Sequence, residues 1–301
     1  MSSSAPAPSS LPAVLAVAAG IVTFSAMDAA IKGASLMVGV YTALLLRNII
    51  GTAIMLPFWI AATPRLPARP VLALHALRSA VNTGMALLFF IGLVRIPMAE
   101  GIALSFIAPL IALFLAAVFL GERIRAQAAV ATLLGLAGVL VIVGSRLGTH
   151  EASSEDLVGV AAVLASAVLY AVNLVLQRKQ ALLAGPVEIT LFQNLFVAMI
   201  LSLFAPWLLV APPPDVLGLI AIGAVFATIA LALFAWGYAR AEAQVLLPLE
   251  YTAFVWAALF GWIFFQEQLS AALLAGTILI VLGCWIGTRN PAREHIEQTA
   301  V

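Results

Sequence analysis

Residues 77–124 read LRSAVNTGMALLFFIGLVRIPMAEGIALSFIAPLIALFLAAVFLGERI, and this stretch decides the fold. Two apolar runs, 71–94 and 97–120, meet at the short break around Arg95 and Pro97. Each is long enough to cross a hydrocarbon core about 30 Å thick, which takes a helix of about 20 residues. Neither run alternates apolar with polar residues as a barrel strand would; both are apolar on all sides. The pattern extends along the chain. Of its 301 residues 64% are hydrophobic and 9% charged, against about 25% charged in a soluble domain. Ten spans follow, at 12–31, 39–62, 71–94, 97–120, 126–145, 157–177, 187–210, 216–238, 245–265 and 270–288. The expected fold class is an all-helical polytopic membrane protein.

The formal net charge is +1, which gives no electrostatic case for nucleic acid as a partner. Cys284, the single cysteine, excludes an internal disulfide and any cysteine-built metal site, and among Leu282, Trp285 and Ile286 it reads as a small buried hydrophobe. Met1–Leu11 contains no Lys or Arg, so the first span lacks a signal peptide's basic leader and is read as a retained helix. With a cytoplasmic N-terminus, Arg65, Arg69, Arg123, Arg125, Arg178, Lys179, Arg240, Arg289 and Arg293 fall inside, and Lys32, Arg95 and Arg146 outside. Arg47 and Arg78 are left within spans. The positive-inside rule then puts both termini in the cytoplasm.

An offset of 145 residues aligns LFFIGLVR (88–95) with LFAWGYAR (233–240), and also pairs Glu122 with Glu267, Gly138 with Gly283, Ala26 with Ala171 and Asp28 with Asn173. At 146, Arg47-Asn48 meets Gln193-Asn194. The recurrence marks an internal duplication, with one five-span repeat at 12–145, a second at 157–288 and a short cytoplasmic tail at 289–301. Five is odd, so the second repeat must enter the membrane in the opposite sense. Inverted repeats recur in secondary transporters because two equivalent packings can open a central site to either side in turn.

Residues 77–124, followed by LLGLAGVLVIVG (133–144), resemble the EamA module of the drug/metabolite transporter superfamily, as does LPLEYTAFVWAALFGWIFFQEQLS (247–270) in the second half. Pro109 followed by Gly121-Glu122 is the specific part. Two positions depart from it: Gln266 stands where a Gly should precede Glu267, and Phe254 stands opposite Pro109. The resemblance implies a ten-helix exporter of small metabolites. It also implies a cavity lined mainly by the first, third, fourth, sixth, eighth and ninth spans, with amino acids, aromatic ones in particular, as the nearest cargo.

A charge in the bilayer centre costs about 2.5–3.5 kcal/mol on insertion scales, which makes intramembrane ionisable groups candidates for function. Asp28, Arg47 and Glu100 fall toward the outer half and His75, Arg78 and Glu250 toward the inner half. Structural ion pairing or snorkelling is the alternative reading for each. His75, Arg78 and Asn82, at i, i+3 and i+7, share one helical face. Such a face is costly against lipid and is expected to look into the bundle or a wet cavity, where Arg78 could hold a carboxylate and His75 exchange a proton. Glu250 is a candidate partner for Arg78, for a substrate ammonium or for a proton, and Asp28 is the expected counter-ion of Arg47. Tyr170, Asn173, Tyr251 and Trp256 are candidate cavity residues, with helix-to-helix bonding or packing as the alternative; Trp236 and Tyr238 fit an interfacial belt. Small residues (Gly101, Ser105, Ala108, Ala112; Gly276, Gly283, Gly287) suit close helix packing, and Pro57, Pro109 and Pro206 are candidate hinges.

The expected function is a secondary transporter exporting small metabolites, most simply amino acids, by alternating access, with protons as candidate coupling ion and no cofactor or bound metal. Drugs or nucleotide-linked metabolites are the alternative cargo, disfavoured by how few cations lie within the spans. An enzyme lacks parts here, since no HExxH, Gly-x-Ser-x-Gly or Walker loop occurs. A channel lacks a ring of like charges or a filter motif.

Overall fold

The computed structural model describes residues 11–62, 66–108, 110–111, 126–148, 153–238, 240, 246 and 249–288. Most of these residues are helical, and none of them lies in a strand. The helices are α1 (Leu11–Val38), α2 (Val40–Ala62), α3 (Arg69–Leu93), α4 (Met98–Ser105), α5 (Ala126–Gly148), α6 (Ser154–Ala181), α7 (Pro186–Ser202), α8 (Ala205–Leu208), α9 (Pro214–Tyr238), α10 (Ala253–Phe265) and α11 (Ala271–Thr288). Five of them, α1, α2, α3, α6 and α9, are long and apolar enough to cross a membrane. Large apolar side chains point outward along them. On α5, exposed Leu133, Leu136 and Leu140 form a stripe at i, i+3 and i+7, as a lipid-facing surface requires.

The chain forms two compact units, each drawing helices from both halves of the sequence: Met1–Leu66 with Gly185–Phe264, and Pro67–Ala184 with Phe265–Val301. In the first unit α1 packs along α9 and α2 along α7. In the second, α3 packs along α6 and α5 along α11, with α4 against α6 and α11. Apolar burial does little to bring helices together in lipid, so close backbone approach through small residues has to do it. Gly138 and Gly276 do so between α5 and α11. A Cβ on Gly138 would lie 2.5 Å from the Gly276 carbonyl oxygen, and one on Gly276 would lie 2.7 Å from that of Gly138.

The paired motifs LFFIGLVR and LFAWGYAR do the same work in each unit. Gly92 lets α3 meet α6, where an added Cβ would lie 2.4 Å from Val163 Cγ2; Gly237 lets α9 meet α1, where it would lie 2.5 Å from Val17 Cγ2. The arginine three residues on closes the helix end. Arg95 Nη1 donates to the Ile91 carbonyl at 2.8 Å and Arg240 Nη1 to the Trp236 carbonyl at 3.1 Å, a cation on the carbonyl end of the helix dipole in both cases.

Three spans expected as single helices are interrupted. The seventh stops at Ser202, turns at Leu203 and Phe204, and resumes as the one-turn α8. The fourth tightens into a turn at Phe106 and Ile107: the Phe106 amide is shared between the carbonyls of Ile102 at 3.3 Å and Ala103 at 3.2 Å, and the Ile107 amide donates to that of Leu104 at 3.3 Å. The ninth does so around Tyr251 and Thr252, where the Thr252 amide donates to the Leu249 carbonyl at 2.9 Å.

Candidate functional site

The face of α3 that carries His75, Arg78 and Asn82 is buried inside the second unit. It meets α6, which brings up Asn173 and Gln180, seven residues apart and so on one face of that helix. Arg78 Nε donates to Asn173 Oδ1 at 3.1 Å, and its Nη1 donates to Gln180 Oε1. Since the carboxamide oxygen of Gln180 is taken by the guanidinium, its Nε2 is the atom that meets His75 Nδ1. Nδ1 therefore accepts, and Nε2 carries the proton of the neutral ring. The Tyr170 hydroxyl lies near enough to Arg78 to interact with it electrostatically. The result is one connected chain, His75–Gln180–Arg78–Asn173, in which two neutral amides hold a buried cation. His75, Arg78 and Asn173 are candidates from the sequence, whereas Gln180 lies beyond the sixth expected span, 157–177, and is not among them. Its i+7 spacing from Asn173 was the available signal.

The first unit buries a second polar group. Ser25, Asp28, Lys32 and Ser35 lie on one face of α1, and Asp28 interacts electrostatically with Arg47 of α2, as expected from the sequence. Arg47 Nη1 also reaches Met27 Sδ at 3.4 Å. Lys32 corrects the sequence reading. Assigned there to an outer connection, it lies inside the 28-residue α1 and is 4% exposed. It stands one turn after Asp28 on the same face of α1.

Glu250 and Tyr251 lie at the interruption of the ninth span, both half-buried, in the first unit. At a 145-residue offset they match Ser105 and Phe106 at the interruption of the fourth. Each interruption is supported by a hydroxyl. Ser105 Oγ donates to the Gly101 carbonyl at 2.8 Å and Thr252 Oγ1 to the Leu249 carbonyl at 2.6 Å. Cys284 is 1% exposed, and its thiol donates to the Phe106 carbonyl at 3.1 Å.

The remaining candidates have local structural work. Glu100 is 4% exposed in the first turn of α4, where the helix dipole favours a carboxylate. The Met98 amide at the same helix start donates to Glu267 at 2.7 Å, so the glutamate of the second module motif caps α4. Gln266 before it has φ +54°, the left-handed conformation that explains why a glycine is expected there. Trp256 packs on the apolar cluster of Val17, Ile21 and Leu246, whereas exposed Trp236 carries the Arg240 guanidinium 4.2 Å above its ring. Pro57 lies inside continuous α2. Pro206 opens α8 after the break, where a missing amide costs nothing. Pro109, with Ala112, Gly121 and Glu122, lies outside the described residues. An apolar groove of about 550 Å³ runs over Pro12, Ala16, Ile229, Ala232, Leu233 and Trp236, distinct from the polar groups.

Long apolar helices with outward-facing apolar side chains and sparse, buried, interlinked polar groups are those of a polytopic membrane protein. The chain belongs to the EamA-like transporter family, whose model matches residues 11–144 and again 157–288. It is similar to the pseudopaline exporter CntI of Pseudomonas aeruginosa, 28% identical over 90% of this chain and 93% of that one. It is also similar to the aromatic amino acid exporter YddG of Ancylobacter novellus, 29% identical over 68% of this chain and 72% of the relative. A solved crystal structure 26% identical in sequence matches with a TM-score of 0.63 over 92% of this chain and 96% of its own. These two relatives are exporters, and this chain is a multi-pass membrane transporter acting on small molecules.

Proposed function

We propose that the protein is a secondary transporter that exports small metabolites, amino acids first among them, by alternating access. The reading takes the chain as ten spans in two inverted five-helix repeats, 12–145 and 157–288, with both termini in the cytoplasm of a bacterial inner membrane. One observation carries it: the helical interruptions at Phe106–Ile107 and Tyr251–Thr252 fall at matching positions of the two halves. Interrupted helices at corresponding places in two repeats mark the binding region of carriers, because unwound backbone offers carbonyls and amides to a ligand that a continuous helix keeps for itself. The packing of α3 on α6 and of α9 on α1 through Gly92 and Gly237 supports the duplication.

In this reading His75, Arg78, Asn82, Tyr170 and Asn173 of the second unit contact cargo; in the first unit Glu250 and Tyr251 are separate candidates, and Asp28 and Arg47 form an ion pair. Uptake and counterflow in proteoliposomes test it. Saturable transport of amino acids with counterflow is the expected result; transport of only nucleotide-linked metabolites, or flux that neither saturates nor shows counterflow, overturns it. Pseudopaline is a second cargo to include, because the relative named for its export matches more of this chain than the one named for aromatic amino acids.

A further inference from the structure

Gln180 decides what the α3–α6 network can bind. Its side chain is 1% exposed, and both ends of its carboxamide are used, one on Arg78 and one on His75. Together with Asn173 it grips the guanidinium through Nε and Nη1. Amide oxygens solvate a cation without neutralising it, and among the described residues of the second unit no carboxylate pairs with Arg78. Glutamate has the same shape as glutamine and would supply the missing charge from the same place. The first half of the chain uses the acid at the equivalent point: Asp28, opposite Asn173 at the 145-residue offset, interacts with Arg47. The second half has amides where an acid would close the ion pair, and a buried unpaired cation is unfavourable unless something completes it.

We infer that Gln180 and Asn173 hold Arg78 as an uncompensated cation whose free edge takes the carboxylate of the cargo, and that Gln180 is the residue that sets this charge preference. The amides occupy Nε and one proton of Nη1, and the remaining donors lie on Nη1 and Nη2, with the Tyr170 hydroxyl nearby. Their fork matches the two oxygens of a carboxylate. A single positive charge balances a single carboxylate; a phosphate dianion would leave net negative charge in a buried site. The inference rests on the exporter reading for the identity of the ligand as cargo, and it concerns selectivity. Gln180 acts through Arg78 and is a positioning residue.

The test uses the purified full-length protein in detergent and follows thermal unfolding by tryptophan fluorescence with three probes that share a ring: phenylalanine, phenylpropionate and phenethylamine. The two carboxylate-bearing probes are expected to raise the unfolding midpoint, and phenethylamine to leave it in place. Gln180→Glu places the counter-ion in the protein and is expected to weaken the carboxylate probes about 10-fold or more, the size of a lost charge-assisted bond. Gln180→Met removes the same hydrogen bonds without adding charge and is expected to keep the preference for carboxylate, at lower affinity, which a purely structural role would not separate. Arg78→Gln removes the preference and carries the test if Gln180→Glu does not fold.

Equal shifts with phenethylamine, no shift with either carboxylate probe, or Gln180→Glu binding as wild type does would each overturn the assignment. Transport in proteoliposomes is scored separately. Carboxylate-dependent binding without transport would reject the exporter reading and leave the binding site standing, and transport indifferent to the carboxylate would do the reverse.

Discussion

Gln266 occupies the left-handed backbone position at φ +54° just before the glutamate that caps α4. A side chain with a Cβ is strained there by about 1 kcal/mol. Gln266→Gly is therefore expected to stabilise the protein by about that amount, read as a higher unfolding midpoint in detergent, and a lower midpoint would reject the strain. Glu267→Ala is expected to act oppositely, at a cost of about 1 kcal/mol, because it leaves the Met98 amide open at the positive end of α4. Glu267→Gln should recover part of the loss, since the side chain still accepts a hydrogen bond but carries no charge for the dipole. These two residues show how a family motif can be legible before its reason is. The Gly-Glu pattern and its departure at Gln266 can be read from sequence, but that the glutamate serves a helix more than 160 residues earlier in the chain depends on tertiary packing that a linear pattern does not contain.

Helix identity was legible because a lipid-exposed surface demands long apolar runs, and α1, α2, α3, α6 and α9 have them. Two of the interruptions fall just before prolines that the sequence offers as candidate hinges, Phe106–Ile107 before Pro109 and Leu203–Phe204 before Pro206, whereas the one around Tyr251 and Thr252 was not legible. Phe106, Ile107, Tyr251 and Thr252 have no helix-breaking chemistry of their own, and the turns there are held by Ser105, Thr252 and the Cys284 thiol on a neighbouring helix. Lys32 was misplaced for a related reason: a lone lysine near the end of an apolar run reads as a boundary, whereas α1 continues to Val38 and buries it beside Asp28. Packing between helices yields a sharper prediction. Gly138 and Gly276 touch backbone to backbone, so Gly138→Val or Gly276→Val must force α5 and α11 apart, and overpacking of this kind costs about 1–3 kcal/mol. Gly144→Ala on the same α5 meets nothing within 4 Å and is expected to leave the midpoint unchanged. Equal thermal stability of the Gly138 and Gly144 variants would show that the crossing does not hold these helices together.

Across the whole molecule, each unit buries charge of both signs among the described residues. The first unit holds Asp28 and Lys32 with half-buried Arg47, and the second holds Glu100 at the start of α4 and Arg78 in its amides, with His75 one hydrogen-bonded link away. A carrier that uses a proton gradient to expel cargo must make proton and cargo compete for the same state, since a gradient can drive a conformational cycle only through a difference in binding free energy. His75 is joined to Arg78 through Gln180, so its protonation and the hold on a cargo carboxylate share one amide; Asp28 and Glu250 are the acids that could play the part from the first unit. Efflux in proteoliposomes with an imposed proton gradient, compared with cargo exchange at equal pH, separates the three. Substituting the proton-carrying group, by His75→Gln, Asp28→Asn or Glu250→Gln, is expected to abolish the gradient-driven component while exchange continues, because exchange needs cargo binding and the conformational step but no net proton movement. A variant that loses both has lost binding or fold instead. Gradient-driven efflux that persists unaltered in all three variants would leave none of these groups as the proton carrier and would place the protein among facilitators that follow the cargo gradient alone.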